Sequence, residues 1–351
     1  MAMSESRLGP LTLSWALELQ SGELVTPEQM SEVSASGEGE TVWRRGDFEV
    51  RCRWRRDDAG AWLGTLGYRH APEVAAIRFP VAAYRDFPAS GTLLLPDQYG
   101  IVLHRPLSHV HTPSEYSCDA YDPELAAASE MVAFRASAML ADEHSFLFDF
   151  RDPAWYQKRC FYRRTGVPGE LVFYGGHLTP LDGAAPRDWE LPYECGVTPF
   201  AGGWFEAAKL YRRWALKQPR ARKKPDPRVR DLGCVCWNRG LIADAVPPVL
   251  RLSQDCGCPV MLSWYWWHHN PYDTDYPDYW PPREGEAAFG AAVAGLRRAG
   301  CHIQVYLNGM TWDMDGASRW EGGEQAIVVR KDGTPECFPY NQFNRHRLGS
   351  I

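Results

Sequence analysis

The residues best suited to chemistry lie between Leu262 and Tyr279, where the chain reads LSWYWWHHNPYDTDYPDY. Indole and phenol rings can lie on the apolar faces of sugar rings, while carboxylate, imidazole and amide groups bind the hydroxyls at the rim. A second stretch of this character, NGMTWD, runs from Asn308 to Asp313. Each follows an apolar, strand-like run, so the pattern predicts a carbohydrate site on loops.

Glycosidic bond cleavage needs two carboxyl groups, about 5 Å apart for retention or roughly 6.5–9.5 Å for inversion. The carboxylates available are Asp273, Asp275 and Asp278 after one strand and Asp313 and Asp315 after the next. Asp273 and Asp313 could face each other across adjacent loops and are the catalytic candidates. Hydroxyl binding is the commoner role for such aspartates, so no catalytic residue is assigned.

His268 and His269 with Asp273 and Asp275 have the ligand types of a metal site. Neighbouring side chains on an extended segment point to opposite faces, however, so only one imidazole can enter the pocket, and the spacing is not that of a helical HExxH site. No metal is expected. Cys234 and Cys236, and likewise Cys256 and Cys258, lack CxxC spacing and read as small apolar side chains. His104, Ser108, His109 and His111 suggest a hydrolase triad, yet no GxSxG elbow accompanies them. The glycine pairs in ELVFYGGH and PFAGGWF match neither a GxGxxG nor a Walker loop, so no nucleotide cofactor is indicated.

The elements that would hold these loops change character along the chain. Residues 1–200 carry short alternating or apolar runs such as FEVRCRWRR, GTLLLP and SFLFDF, separated by Gly, Pro and Asp. That spacing predicts an antiparallel β-sandwich. Over residues 201–228 comes a connecting helix, with Trp204, Ala207, Ala208, Tyr211 and Ala215 at helical spacing, and then a basic linker broken by proline. From residue 229 to 351 the order is strand, helix, strand, helix, strand: DLGCVCWN, AVPPVLRLSQDCG, PVMLSWYWW, EAAFGAAVAGLRRAG and HIQVYLNG. Two βα units and a third strand imply a parallel sheet of the barrel or doubly wound kind. Pro247 and Pro248 are expected near the first turn of the earlier helix. The loops after the strands begin at Trp237, Trp267 and Asn308 and are polar and aromatic, whereas the opposite loops are plain. A site at the carboxyl ends follows.

The combination WFEAAKLYRRWA, WYWWHHNPYDTDYPDYWPP, an amphipathic helix and VYLNGMTWD resembles the bacterial family called domain of unknown function 6259 from roughly Gly91 onward. The resemblance implies a glycoside-hydrolase-like barrel behind a mutarotase-like supersandwich, with the loops after strands one to three forming one wall of a sugar pocket. It places Trp237, Trp266, His268, Asp273, Asn308, Trp312 and Asp313 there. Trp266, Trp267 and Trp312 would stack on sugar, and His268, Asp273, Asn308 and Asp313 would bind hydroxyls or charge. About three of eight barrel strands precede Ile351, and the final NQFNRHRLGSI shows no strand pattern. The expectation is therefore an incomplete (β/α)8 barrel lacking the catalytic carboxylates of later strands. The alternatives are a non-catalytic carbohydrate-binding pseudoenzyme and a structural fragment.

Composition sets outer limits. In 351 residues, 45% hydrophobic content supports a sizeable core, and 15 tryptophans suit sugar handling. A net charge of −6 without a basic face argues against nucleic acid. No segment reaches the ~20 apolar residues of a membrane span, and the start lacks a signal-peptide pattern. A cytoplasmic protein binding oligo- or polysaccharide, with ten scattered reduced cysteines and no cofactor, is expected.

Overall fold

The computed structural model describes residues 6–36, 39–96, 100–109, 115–117, 135–154, 156, 158–179, 186–218, 224, 226–270, 274–316, 322–330, 332–339 and 346–351. Two compact units divide the chain, residues 1–223 and 224–351.

The first unit is a β-sandwich. In Phe48–Arg56 the side chains of Phe48, Val50, Cys52 and Trp54 are buried and alternate with Glu49, Arg51, Arg53 and Arg55 on the other face, the two-residue period of a pleated strand with one face in the core. Among the described residues one antiparallel sheet has seven strands, with Leu11–Leu19, Val74–Tyr84, Leu171–Leu178 and Lys158–Arg164 as successive neighbours. The other has ten, including Ser145–Phe150, Cys195–Phe200, Trp62–Arg69 and Phe48–Arg56 in that order. Their inner faces share one core. Phe148 of the larger sheet stacks on Phe173 of the smaller at 4.1 Å, and Trp15 meets Trp43 edge-on at 5.4 Å. Truncating such a buried aromatic costs about 3–5 kcal/mol, so these pairs fix the two layers together.

Asp149 and His177 are among the titratable groups sealed in this sandwich. Asp149 is fully buried with Arg151 Nε at 2.7 Å. Desolvation outweighs that partner and pushes the carboxyl up to about 6. His177 places Nδ1 2.7 Å from the Tyr193 hydroxyl and Nε2 2.6 Å from the Phe79 carbonyl. Its burial lowers the imidazole to about 4, which fits a neutral ring donating from Nε2 and accepting at Nδ1.

The expected connecting helix spans Trp204–Ala215. Its packed stripe is Ala207, Leu210 and Tyr211, set against Leu94, Ala136, Ala138 and Leu147 of the ten-stranded sheet, and the Tyr211 hydroxyl accepts the Arg135 N–H at 3.1 Å. Trp204, expected on that stripe, is instead 53% exposed. It is the first residue of the helix, and its ring meets that of Phe205 edge-on at 5.7 Å.

In the second unit Cys234–Asn238, Val260–Trp264 and His302–Val305 form a parallel sheet in sequence order. The helices Ile242–Cys256 and Glu286–Arg298 connect them. Cys234, Cys236, Val260, Leu262, Trp264, Ile303 and Val305 pack with Ala245, Val249, Ala292 and Leu296 of the helices. Both cysteines therefore lie on one apolar face, with their sulfurs 3.5 Å apart. Pro247 and Pro248 sit inside the first helix, one turn later than their chemistry suggests. Pro248 cannot donate to the Asp244 carbonyl, and the Asn238 amide approaches that oxygen at 3.4 Å instead. A small antiparallel sheet follows, in which Arg347–Ser350 pairs with both Thr311–Asp313 and Cys337–Pro339. The tail expected to lack a strand thus supplies the central one. Among the described residues no helix is long and apolar enough to cross a membrane.

Candidate carbohydrate site

The sheet face turned away from the helices carries the aromatic surface. Trp237, next to last in its strand, is 56% exposed, and Val235 on the same face is 54% exposed. The parallel ladder continues one residue past each neighbouring strand, because the Tyr265 N–H donates to the Asn238 carbonyl at 2.8 Å and the Tyr306 N–H to the Trp264 carbonyl at 3.0 Å. That register sets Tyr306 beside Tyr265 and Tyr265 diagonally across from Trp237. Trp237 and Tyr265 have ring centroids 5.5 Å apart, and Tyr265 and Tyr306 stack at 4.1 Å with 26° between planes. The result is an aromatic shelf across the carboxyl ends of three adjacent strands. Neither tyrosine was a candidate from sequence. The signal available was alternation: Trp264 faces the helices, so Tyr265 faces the opposite way.

The tryptophans that follow behave differently. Trp267 is only 6% exposed and lies in the helix-facing core, with Phe289 at 5.4 Å and its indole N–H on the Tyr306 carbonyl at 2.9 Å. Its expected role on a sugar-facing wall is therefore corrected, since protein covers its ring. Trp266 is half-buried, donates to the Asn270 carbonyl at 2.7 Å and has the Arg283 guanidinium 4.2 Å over its ring. Trp312 is also half-buried, in the small sheet, where Gly323 comes so close that a Cβ would stand 1.9 Å from the indole. Of the four tryptophan candidates, Trp237 alone offers mostly exposed ring.

The polar candidates mainly brace loops. His268 is 1% exposed and bridges to Pro282, whereas His269 is exposed with Nε2 3.8 Å from an Asp278 oxygen. The two imidazoles diverge, as alternation requires. Asn308 accepts the N–H groups of Met310 and Thr311 at 2.9 and 3.1 Å and is tied through its backbone to the Tyr279 hydroxyl. Asp273 lies outside the described residues.

Asp313 is the most constrained of the set. Its side chain is wholly buried and accepts N–H groups from Asp275 at 3.1 Å, Asp315 at 3.0 Å and Gly316 at 2.7 Å. His346 Nδ1 approaches it at 3.0 Å. Asp275, in the left-handed region at φ 53°, is thereby held in a conformation that aspartate tolerates better than most residues. Asp315 is engaged by Arg347 through two nitrogens, and this pairing holds its carboxyl near 2.

Asp275, Asp313 and His346 bring one ligand atom each within 4.8 Å of one another. These are the described residues that could hold a divalent cation. The sequence grouped Asp275 with the two histidines after the second strand instead. Asp313 already spends its oxygens on three backbone donors, so the cluster acts as a clasp between the loop around 275, the loop around 315 and residue 346.

A β-sandwich followed by a parallel βαβαβ unit is a fold shared with solved glycosidases. An α-N-acetylgalactosaminidase from Bifidobacterium bifidum, solved with GalNAc, superposes with TM-score 0.70 at 14% identity, covering 99% of this chain and 65% of that one. A GH36 α-galactosidase from Geobacillus stearothermophilus superposes with TM-score 0.51 at 12% identity, covering 98% and 51%.

Residues 189–351 match the family model described as domain of unknown function 6259, a narrower stretch than the resemblance from Gly91 implied. A protein of Bacteroides thetaiotaomicron named "Putative glycoside hydrolase" is 32% identical over 180 residues, which are 49% of this chain and 26% of that protein. A similarly named protein of Monosiga brevicollis is 26% identical over 159 residues, or 36% and 13%. The matched stretch thus spans about a quarter or less of these curated relatives.

Proposed function

We propose that the chain binds an oligo- or polysaccharide on the shelf of Trp237, Tyr265 and Tyr306, and that its parallel strands are the first three of a (β/α)8-type barrel. The shelf is the observation that carries this reading. Parallel sheets are normally covered on both faces, so an exposed aromatic face at the carboxyl ends of parallel strands suits the inner wall of a barrel-mouth pocket. The glycosidases among the structural neighbours and the names of the sequence relatives support the substrate class.

In a glycosidase of this architecture, a carboxylate pair would act as acid and base or nucleophile without a redox cofactor. Asp313 is assigned to positioning, because its oxygens hold backbone N–H groups. Asp315 stays ionised by its pairing with Arg347, which unsuits it to proton donation. This engagement of both aspartates favours a second reading, saccharide binding without cleavage by this chain.

Isothermal titration with α-linked galactosyl and N-acetylgalactosaminyl oligosaccharides tests the site. Trp237→Ala should weaken binding at least tenfold while leaving the melting temperature within about 2 °C, since the ring is mostly solvent-facing. No binding by the folded chain, or unchanged affinity in both Trp237→Ala and Tyr306→Ala, would remove the reading.

A further inference from the structure

The seven-stranded sheet of the first unit carries, on its face away from the core, a groove of about 240 Å³. Gly176 forms its floor. The cross-strand neighbours of Gly176 are Arg78 on one side and Arg159 on the other. Adjacent strands stand about 4.8 Å apart, so two arginines flank a gap with no side chain between them. In the next row Phe161 lies opposite Tyr174 with rings stacked at 4.6 Å, and the Arg78 guanidinium sits 4.7 Å over Tyr174. Glu18 holds Arg78 at 3.0 Å.

These side chains belong to the outer face, because their neighbours Tyr162 and Phe173 are in the sandwich core. Tyr174 is nevertheless only 3% exposed, so the wall formed by Arg78, Tyr174 and Phe161 is already packed. A Cβ on residue 176 would stand 2.8 Å from the Phe161 ring. Glycine here lets that half-buried ring lie low along the groove. Arg78 is paired with Glu18 at 3.0 Å, and an anion in the row of Gly176 lies between Arg78 and Arg159, where both can give it charge-assisted hydrogen bonds. The Phe161 ring beside the gap adds an apolar surface suited to a sugar face, and the volume suits about one ring.

We propose that this groove binds an acidic saccharide unit, its carboxylate between Arg78 and Arg159 and its pyranose ring against Phe161. The groove lies wholly in the first unit, so the inference is independent of the strand-end site.

Calorimetric titration of the full chain with tetragalacturonate tests it, with galactotetraose as the neutral ligand and acetate as the anion without a ring. The expected result is saturable tetragalacturonate binding, weakened at least tenfold by Arg159→Gln and by Phe161→Ala. Arg159→Lys should stay within a few-fold of wild type. Galactotetraose should show no dependence on residue 159, and acetate should compete only at far higher concentration. Melting curves identify variants that retain the fold. Failure of the folded chain to bind tetragalacturonate overturns the proposal. So does binding that survives both Arg159→Gln and Phe161→Ala, or equal competition by acetate, which would leave a simple anion site.

Discussion

Replacing Asp313 by alanine is expected to release three segments at once. The carboxylate accepts the N–H groups of Asp275, Asp315 and Gly316 and pairs with His346. A buried donor left without an acceptor costs about 1–3 kcal/mol. Asp275, Asp315 and Gly316 are all at least partly exposed, so water can replace some of what is lost, and the sum falls to about 3 kcal/mol. Asp313→Asn keeps one oxygen for Asp315 and Gly316 but turns an amine toward Asp275 and His346, at a cost of about 1–2 kcal/mol. Urea unfolding of the full chain measures the global effect. Hydrogen exchange at residues 275, 315 and 316 measures the local one, where about 3 kcal/mol of lost protection means roughly a hundredfold faster exchange. An alanine variant within about 1 kcal/mol of wild type, with unchanged exchange at these amides, would refute the clasp and return Asp313 to the catalytic candidates.

Trp267→Ala should destabilise the second unit by about 3–5 kcal/mol, because the ring is packed in its core. A mild effect in denaturant unfolding would instead put Trp267 back on the sugar-facing wall. Asp149 and His177 act oppositely with pH. The folded His177 takes its proton near 4 rather than at 6.5, so its stabilising contribution is complete above pH 6.5 and is lost as pH falls toward 4. The folded Asp149 holds its proton up to about 6 rather than 3.8, so its contribution is complete below pH 3.8 and is lost as pH rises toward 6. The two nearly cancel, and Asp149→Asn should expose a loss of about 3 kcal/mol on acidification from pH 6.5 to 4. Parallel stability curves for variant and wild type over that range would contradict these assignments.

Alternation and turn residues were enough to expect the sandwich, because each strand of a half-buried sheet must repeat its apolar face every second residue, as Phe48–Arg56 does. The change to a helical period after residue 240 likewise announced the parallel βαβαβ unit, and its polar loops marked the carboxyl ends. The run Trp264, Tyr265, Trp266, Trp267 carries no such label, since every residue in it is aromatic. Register decided there: pairing with Asn238 and Tyr306 turned Tyr265 onto the shelf, while indole hydrogen bonding and Phe289 drew Trp267 into the core. The strand Arg347–Ser350 was equally hidden, because it forms between the nearby Cys337–Pro339 and the remote Thr311–Asp313, more than thirty residues away, and has little periodicity of its own. Asp313 belongs to the same class. The sequence determined that a buried-capable carboxylate stood near a strand end, with the N–H groups of Asp315 and Gly316 within a turn of it, but only the tertiary structure could decide that the Asp275 N–H and His346 would converge on it, because groups more than thirty residues away are brought together by chain folding and not by local composition.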